Sequence, residues 1–430
     1  MLAIEGQLEN RGGTLFIDGC SSMEIAGKFG TPVYVMSESR MRENYRRLKD
    51  AFARHYSNFR AYYAVKANNN LSVLSVLRSE GAGADCSAPS EIALALKAGF
   101  SRKDLLYTGN YNSLEELKFA GENGVTVNLD DAPLLEKLAK VAKPSDIAGI
   151  CFRFNPGLGR GGMEKLVFAG PEVKFGISED RILGAYARAK ELGYCNFGIH
   201  MMTGSNVLDA GYFPQVAEML FRTAAKISRE VGIEFGFINI GGGFGVPYRP
   251  GEVELDVGRV GREVTEKFKE HIGDGASARP QLLVEPGRYF VCDAGVLLAR
   301  VHHVKNSGKR FIGTDAGMNT LLRPAMYGAY HVVLVANNLN APVEGTASVV
   351  GQICENTDHI ARDRPLPAVH DGDLIAVLNA GAYGFGMSSQ YNSRPRCAEV
   401  MVNGGQADLI RERENVGDLI GRQSVPDRLL

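Results

Sequence analysis

The residues that could do chemistry stand where buried, strand-like runs end. The clearest case is Lys66, which closes the run Arg60-Ala-Tyr-Tyr-Ala-Val and is followed by Ala67 and three asparagines. Partial burial lowers the pKa of a lysine, and the neutral amine can then form a Schiff base with a carbonyl compound. Taken alone, Lys66 could also simply mark the end of a strand.

Other polar groups and glycines lie at or just after the C-terminal ends of strand-like runs, namely Asp85, Arg153, His200, Gly241 to Gly243, and Glu285. Three consecutive glycines let backbone N–H groups approach an anion such as phosphate, although a flexible turn would have the same composition. Glu285 could face a cofactor ring nitrogen and Arg288 could bind an anion, although a surface ion pair at a strand end would also explain them. The whole set is richer in functional side chains than stability alone requires.

A repeated pattern of strands and helices has to bring these positions together. Between residues 61 and 285, eight strand-like runs alternate with helical ones. The strand-like runs are 61–65, 82–86, 105–108, 125–129, 148–154, 196–201, 235–240 and 282–285. Eight such units predict a TIM-like (β/α)8 barrel, in which chemistry lies at the C-terminal ends of the strands. A doubly wound open sheet is the alternative, but no GxGxxG follows the first strand to support it.

The character of the chain changes after Arg288. Short β-rich runs separated by Gly, Pro and Asn follow, at 296–304, 310–314, 347–351, 373–378 and 399–403. The pattern predicts a barrel over residues 32–285 and an all-β domain over residues 286–430, which the N-terminal region 1–31 is expected to join. In the second domain Cys354 and Glu355 could contribute a proton donor beside a carboxylate, and Tyr383 lies in a glycine-rich turn. A buried thiol and a hairpin would explain these residues as well.

Charge and cysteine content exclude several classes of protein. The 430 residues carry 48 basic and 49 acidic side chains, a net charge of −1, so no nucleic-acid or anionic-membrane partner is expected. No apolar run has the length of a membrane span, and residues 1–6 do not resemble a signal peptide. The seven cysteines are scattered and form no CxxC pair, so neither disulfides nor a metal site is expected, and a cytoplasmic location fits.

Seven short motifs, taken in order, give the chain a family resemblance. Five of them resemble motifs of the fold-type III pyridoxal-phosphate-dependent amino-acid decarboxylases, whose barrel is alanine racemase-like: YAVKAN at 63–68, GGGF at 241–244, EPGR at 285–288, CE at 354–355 and GAY at 381–383. Two more, RPAMYGAY at 323–330 and SSQYNSRP at 388–395, are similar to the diaminopimelate decarboxylase family within that group. The resemblance covers the chain from about residue 32 to its tail.

The resemblance implies a role for each matching residue. Lys66 is expected to hold pyridoxal 5′-phosphate as a Schiff base, and Glu285 to pair with its ring nitrogen. The other cofactor contacts are expected from Asp85, His200, Met202, Ser205, Gly241, Gly242, Gly243, Gly287, Arg288 and Tyr383. The substrate contacts are expected from Arg288, Arg323, Tyr327, Glu355 and Tyr383. Cys354 is expected to protonate the α-carbon in the active site of a partner subunit, which implies a homodimer with shared sites.

The implied reaction is decarboxylation of an amino-acid substrate, meso-diaminopimelate, to L-lysine and CO2. Three departures bear on the substrate. Met202 stands where the family usually has a histidine that packs on the cofactor, and Asn356 stands where it usually has a serine. The loop before the segment 174–177 lacks the histidine-containing pattern usual in the family. A decarboxylase of D-lysine, D-ornithine or a specialised-metabolite amino acid is therefore the alternative. An alternative from another class is a protein that binds pyridoxal phosphate without catalysis. The β domain with Cys354, Glu355 and Tyr383 disfavours this alternative.

Overall fold

The chain folds as two compact units. The computed structural model describes residues 6–161, 168–170, 172–273 and 280–430. Arg42–Pro247 and Val253–Phe290 form one unit, which we call the barrel unit. Tyr248–Glu252, Val291–Leu430 and the described part of Met1–Met41 form the other, which we call the β unit.

The N-terminal segment belongs to the β unit. Its elements are β1 (Leu8–Arg11), β2 (Thr14–Ile17), β3 (Cys20–Ser21), α1 (Ser22–Phe29), β4 (Val33–Ser37) and the start of α2 (Glu38–Ala53). The strands β1, β2 and β3 form an antiparallel three-stranded sheet. Leu15 and Ile17 of β2 are fully buried in one hydrophobic core with Val33 and Val35 of β4.

The barrel unit contains the eight predicted strands, so the sequence prediction of a (β/α)8 barrel is confirmed. They are β5 (Phe59–Ala64), β6 (Gly83–Cys86), β7 (Leu105–Tyr107), β8 (Thr126–Leu129), β9 (Gly149–Phe154), β10 (Phe197–Met201), β11 (Phe235–Asn239) and β12 (Gln281–Val284). All neighbouring pairs are parallel, and β12 pairs with β5 to close the barrel. The helices between the strands are α3 (Leu71–Ser79), α4 (Pro89–Lys97), α5 (Leu114–Glu122), α6 (Leu134–Val141), α7 (Glu179–Glu191), α8 (Tyr212–Ile227) and α9 (Val257–Ile272).

Local signals in the sequence explain where several of these helices begin. Ser113 and Glu116 form a capping box at the start of α5, each side chain bonded to the backbone of the other residue. The Asp256 side chain accepts a hydrogen bond from the backbone N–H of Arg259 and so caps α9. The strands themselves are almost completely buried, as expected for a parallel sheet covered by helices.

The β unit is built on a nine-stranded sheet. After the short helix α10 (Arg288–Val291) come β13 (Gly295–Ser307), β14 (Lys309–Thr314), α11 (Arg323–Tyr327), β15 (Val333–Val335), β16 (Gly345–Val350), β17 (His359–Leu366), β18 (Leu374–Val377), β19 (Ala398–Asn403), β20 (Gln406–Arg411) and α12 (Val416–Ile420). The main path of the sheet is β17-β16-β14-β13-β4-β19-β20, and β18 pairs with β13 and β15. The five β-rich runs predicted from the sequence are five of these strands.

The strand β4 corrects the boundary predicted at residue 32. The sequence prediction placed this strand in the barrel, but it lies between β13 and β19, antiparallel to the first and parallel to the second. Every residue of β4 is buried, so a central position in a sheet satisfies both its backbone and its apolar side chains. The pentapeptide Tyr248–Glu252 likewise belongs to the β unit, although the sequence prediction placed it inside the barrel.

No helix in the described ranges is both long enough and apolar enough to cross a membrane.

Two glycines in helices of the barrel unit give a matched test of packing. A Cβ on Gly261 in α9 would lie 2.2 Å from the backbone oxygen of Ala51, whereas a Cβ on the exposed Gly184 in α7 would meet nothing within 4 Å. Gly261→Ala should lower the free energy of unfolding by about 1–3 kcal/mol because the helices must move apart. Gly184→Ala should raise it by about 0.5–1 kcal/mol because alanine favours the helix.

Chemical denaturation of the two single variants and the wild type measures both effects. A gain in stability for Gly261→Ala would contradict the close contact between α9 and the end of α2.

Candidate active site

Lys66 lies on a single turn of 3-10 helix, Val65–Ala67, directly after β5. The strand ends at Ala64, one residue before the end of the predicted run 61–65. The asparagines that follow shape the turn into α3: the Asn68 side chain accepts a hydrogen bond from the N–H of Asn70, and the Asn70 side chain caps α3 through the N–H of Ser72. Lys66 is therefore held on a defined turn at the rim of the barrel.

The Lys66 ammonium faces a buried carboxylate. Its Nζ donates hydrogen bonds to Asp85 Oδ2 at 2.8 Å and to Ser87 Oγ at 3.2 Å. The Asp85 side chain is 1% exposed, whereas that of Lys66 is 45% exposed. Burial, together with the charge of Glu285, raises the pKa of Asp85, and the Lys66 charge opposes this rise. The amine is thus oriented by a carboxylate behind it while it stays accessible from solvent.

Glu285, directly after β12, is the centre of a second buried group. Its Oε2 lies 2.9 Å from His200 Nε2, and its Oε1 accepts a hydrogen bond of 2.6 Å from the Asn239 side chain. All three side chains are buried. Burial alone would raise the pKa of Glu285, but the charge and hydrogen bond of His200, the Lys66 charge and the Asn239 hydrogen bond together lower it below its ordinary value. Glu285 is therefore an ionised carboxylate in the barrel interior.

The glycine run after β11 is pressed against the backbone of neighbouring strands. A Cβ on Gly241 would lie 2.1 Å from the carbonyl oxygen of Met201, and one on Gly242 would lie 2.5 Å from that of Glu285. Gly241 and Gly243 have φ of 73° and 98°, which side-chain-bearing residues rarely adopt. These positions therefore require glycine, and the result is a loop whose backbone can approach a ligand closely.

Four further predicted residues lie in the barrel unit around this loop. Met202 accepts a hydrogen bond at its sulfur from the N–H of Gly242 at 3.2 Å. Arg288 donates a hydrogen bond of 3.2 Å to the Ser205 hydroxyl, and both are buried. A Cβ on Gly287 would lie 2.8 Å from the Cβ of Ala67, so this glycine permits close packing on the Lys66 turn. The barrel residues predicted from the sequence therefore contact one another in pairs.

The motif Cys354-Glu355 lies in the β unit on the loop between β16 and β17. The buried carboxylate of Asp358 closes this loop by accepting hydrogen bonds from the N–H groups of Met318 and Ile353. Asn392 accepts from the N–H of Cys354 at 3.0 Å and donates to its Sγ at 3.1 Å. The loop is thus fixed, and the Cys354 thiol is presented at the exposed surface of the chain.

A neighbouring segment also fixes Glu355. The Tyr391 hydroxyl donates a hydrogen bond of 3.0 Å to Glu355 Oε1. Asn392 and Ser393 both have φ of 55°, a conformation that costs free energy in a residue other than glycine. The motif at 388–395 therefore holds the Cys354 loop in place through Tyr391 and Asn392.

Arg323, at the first turn of α11, is 2% exposed. Its Nη1 lies 2.9 Å from His331 Nε2, and its guanidinium stacks on the ring of Tyr248 at 4.6 Å. Within the described ranges, no carboxylate lies within ion-pair distance of Arg323. Tyr327, at the end of the same helix, is half-buried, and Tyr383 has a left-handed φ of 55° in its glycine-rich turn.

Several functional neighbours were absent from the prediction. Asn239 links Glu285 to the glycine loop, because its side chain also accepts a hydrogen bond from the N–H of Gly241 at 2.9 Å. Asp130, after β8, lies 3.7 Å from Arg153 and accepts a hydrogen bond from the N–H of Gly176. Burial raises the pKa of Asp130 and lowers that of Arg153. Asn239 is the last residue of β11 and Asp130 directly follows β8, and a polar residue at the end of a buried strand is the signal that found Asp85 and Glu285.

The donor set of the barrel rim fits pyridoxal 5′-phosphate. It offers an accessible amine at Lys66, an ionised carboxylate at Glu285, and the N–H groups of the glycine loop. Two buried atoms, Asp85 Oδ1 and His200 Nδ1, have no hydrogen-bond partner among the described residues. Since buried polar atoms are normally paired, a polar ligand bound at this rim is consistent with these two atoms.

Comparison with known proteins gives a consistent result. Residues 38–292 match the family model for the pyridoxal-binding domain of pyridoxal-dependent decarboxylases. The diaminopimelate decarboxylase of Methanothermobacter thermautotrophicus is 47% identical over 98% of both chains, and that of Archaeoglobus fulgidus is 42% identical over 97% of this chain and 99% of the other. A relative with a different name, protein TabA of Pseudomonas amygdali pv. tabaci, is 36% identical over 93% of this chain and 92% of its own length.

A solved structure agrees with these relatives. The diaminopimelate decarboxylase of M. jannaschii, crystallised with L-lysine, superposes with a TM-score of 0.91 at 32% identity over the whole length of both chains. Its fold and sequence relationship both extend over the barrel unit and the β unit. The chain therefore belongs to the diaminopimelate decarboxylase family of pyridoxal-phosphate-dependent decarboxylases.

Proposed function

We propose that the protein removes CO2 from the D-configured carbon of meso-diaminopimelate and releases L-lysine, with pyridoxal 5′-phosphate as its cofactor. The choice of substrate rests on one observation: Arg323 is a buried cation with no carboxylate partner among the described residues. A buried charge without a counter-ion is costly, so a ligand with a carboxylate far from its reacting carbon is the natural partner. The M. jannaschii relative binds L-lysine in its crystal structure, which supports the same product.

In the barrel unit, the proposed roles follow from the charges. Lys66 binds the cofactor covalently, and Asp85 orients its Nζ. Glu285 holds a proton at the ring nitrogen because it remains an ionised carboxylate. When bound, the cofactor supplies a protonated ring that takes up the electron pair left by the departing CO2. Further contacts to the cofactor come from His200, Met202, Ser205, Gly241, Gly242, Gly243, Gly287 and Arg288 of this unit, and Tyr383 of the β unit adds another.

Four residues of the β unit, together with Arg288 of the barrel unit, are assigned to the far end of the substrate. That end of meso-diaminopimelate carries an ammonium and a carboxylate. Arg323 and Arg288 bind the carboxylate, Glu355 binds the ammonium, and Tyr327 and Tyr383 complete the contacts. D-Lysine and D-ornithine lack the carboxylate and would leave a buried arginine unpaired. The penalty is several kcal/mol, which corresponds to a preference of about a hundredfold or more.

Cys354 donates its Sγ proton to the α-carbon after CO2 has left, and it does so in a second copy of the chain. The thiol lies on an exposed loop that Asn392 and Asp358 hold in place, which suits a group presented to a partner. We therefore propose a homodimer in which each active site takes Cys354 and Glu355 from the partner subunit. A cytoplasmic location is part of the proposal, because all seven cysteines are free.

A second candidate is decarboxylation of another D-amino acid. It is favoured by Met202, which replaces the histidine usual in the family, and by the similarity to protein TabA, whose name is not that of a diaminopimelate decarboxylase. D-Lysine, D-ornithine and specialised-metabolite amino acids are the candidate substrates.

The charge on buried Glu285 can be tested in the cofactor-free protein with His200→Leu. This change removes the partner that lowers the pKa of Glu285 and leaves the carboxylate buried, at a cost of about 3 kcal/mol in the free energy of unfolding. Since the pKa of Glu285 then rises, protonation relieves the unpaired charge as the pH falls. The loss of stability should therefore be largest near pH 8 and smaller near pH 5.

Denaturation curves at several pH values measure this loss. The double variant His200→Leu/Glu285→Leu is the control, and it should be more stable than His200→Leu near pH 8. A loss that is the same at every pH, or a double variant that is no more stable, would show that Glu285 is not the charge responsible.

The shared active site can be tested by mixing two variants. Lys66→Ala and Cys354→Ala should each be nearly inactive, because one lacks covalent attachment of the cofactor and the other lacks the proton donor. Hybrid dimers contain one site with both residues intact, so the mixture should recover up to about a quarter of wild-type activity after random exchange of subunits. CO2 release by the mixture, with subunit exchange verified by tagged chains, is the measurement. Hybrids that form but remain inactive would contradict shared sites.

The substrate is tested by kcat/KM for meso-diaminopimelate, D-lysine and D-ornithine, with CO2 and the amine product both measured. Meso-Diaminopimelate should be preferred by about a hundredfold or more. Arg323→Leu should reduce this preference, because it should lower kcat/KM for meso-diaminopimelate more than for the other two substrates. Equal values for the three, or no lysine from meso-diaminopimelate, would favour the second candidate.

A further inference from the structure

His331 is a fully buried histidine in contact with Arg323. It stands shortly before β15 and has no exposed surface. Its Nδ1 lies 2.9 Å from the carbonyl oxygen of Leu378, and its Nε2 lies 2.9 Å from Arg323 Nη1. The ring therefore connects the guanidinium of Arg323 to the backbone at the end of β18.

These two contacts determine where the proton of the ring lies. A carbonyl oxygen can only accept a hydrogen bond, so Nδ1 must carry the proton. The arginine guanidinium can only donate, so Nε2 must offer its lone pair. Both requirements are met only by the neutral ring with the proton on Nδ1. His331 thus holds Arg323 through an acceptor that carries no negative charge.

A second neutral group holds the guanidinium from another side. Tyr248 places its ring 4.6 Å from Arg323, and the Tyr248 hydroxyl lies 2.9 Å from the Sγ of buried Cys292. The rings of Tyr248 and His331 meet edge to face, with centroids 5.3 Å apart. Arg323 is therefore fixed by a lone pair and an aromatic face, and neither cancels its positive charge.

The chemistry of these contacts has a consequence for the ligand. A carboxylate at the position of His331 would also fix the arginine, but it would form an ion pair and compete with an anionic ligand. A neutral acceptor fixes the same side chain and leaves the charge available. Pre-organised groups bind more tightly because less conformational freedom is lost on binding.

We propose that His331 is a positioning residue that holds Arg323 in place as an uncompensated cation and thereby sets the preference for substrates with a distal carboxylate. The inference rests on the proposed function, because it assigns His331 to the same recognition of meso-diaminopimelate. His331 acts through Arg323 and does not touch the substrate. Substrates without the distal carboxylate should therefore be insensitive to its replacement.

The test uses the holoenzyme and the ratio of kcat/KM for meso-diaminopimelate to that for D-lysine. His331→Phe keeps a ring but offers no lone pair, and it should lower this ratio by about tenfold or more, chiefly through KM for meso-diaminopimelate. His331→Gln keeps an acceptor and a donor and should restore part of the ratio. The matched control is His370→Leu, which removes an exposed histidine of the same unit and should leave the ratio unchanged.

The double variant His331→Phe/Arg323→Leu shows whether the effect passes through Arg323. If it does, adding His331→Phe to Arg323→Leu should leave the ratio unchanged. A crystal structure of His331→Phe should show the guanidinium moved from its wild-type place. If His331→Phe does not fold, His331→Leu takes its place in every comparison.

Three results would overturn the inference while leaving the proposed substrate intact: an equal loss for both substrates, an effect of the same size without Arg323, or a guanidinium that stays in place. A wild-type enzyme with no preference for meso-diaminopimelate would instead overturn the proposed substrate, and the role of His331 with it. The wild-type ratio therefore separates the two failures.

Discussion

The structure depends on how buried charges are compensated. Removing a charged group from water costs several kcal/mol unless another charge or a set of hydrogen bonds replaces the water. In the barrel unit, Lys66 is paired with Asp85, and Glu285 with His200 and Asn239. Arg323 in the β unit is held by neutral groups alone. The paired charges keep reacting groups in defined protonation states, whereas the uncompensated charge is available for recognition.

The barrel makes this arrangement possible because parallel strands end on the same rim. Lys66, Asp85, His200 and Glu285 come from β5, β6, β10 and β12, which are far apart in the chain but meet in the closed barrel. The glycine loop after β11 is joined to the same rim, since the N–H of Glu285 donates to the carbonyl of Gly241. Asn239 adds a second link between Glu285 and the loop. The position of the carboxylate and that of the anion-binding backbone are therefore mechanically coupled.

Much of the fold could be predicted from the sequence because the signals for strands and for helices are both local. Each barrel strand is a short apolar run followed by a helical run, and α3, α5 and α9 begin at a side-chain cap, so the order of elements fixes the barrel. Pairing over long distances has no such signal. The strand β4 has the same buried, apolar character as a barrel strand, and only its partners β13 and β19 assign it to the other sheet. The strand β17 was missed because its charged, partly exposed sequence at the side of the sheet carries no apolar run.

The distinction between local signals and long-range contacts also applies to the candidate active site. Lys66, Asp85, His200 and Glu285 could be found because a polar residue at the end of a buried strand is unusual in itself. Asn392 and His331 could not be assigned, because their roles depend on contacts to Cys354 and to Arg323. These contacts join segments that are distant in sequence or separated by a turn. Asparagine and histidine are common residues, and nothing in their local sequence states which partner they meet.

Two of the departures from the family pattern, Met202 and Asn356, differ in what they contact. Met202 directs its sulfur at the N–H of Gly242 and so supports the loop assigned to the cofactor phosphate. Asn356 contributes its backbone carbonyl to Arg362, a contact that any residue could make. These two departures therefore bear on the loop assigned to the cofactor phosphate and on an exposed turn beside Glu355.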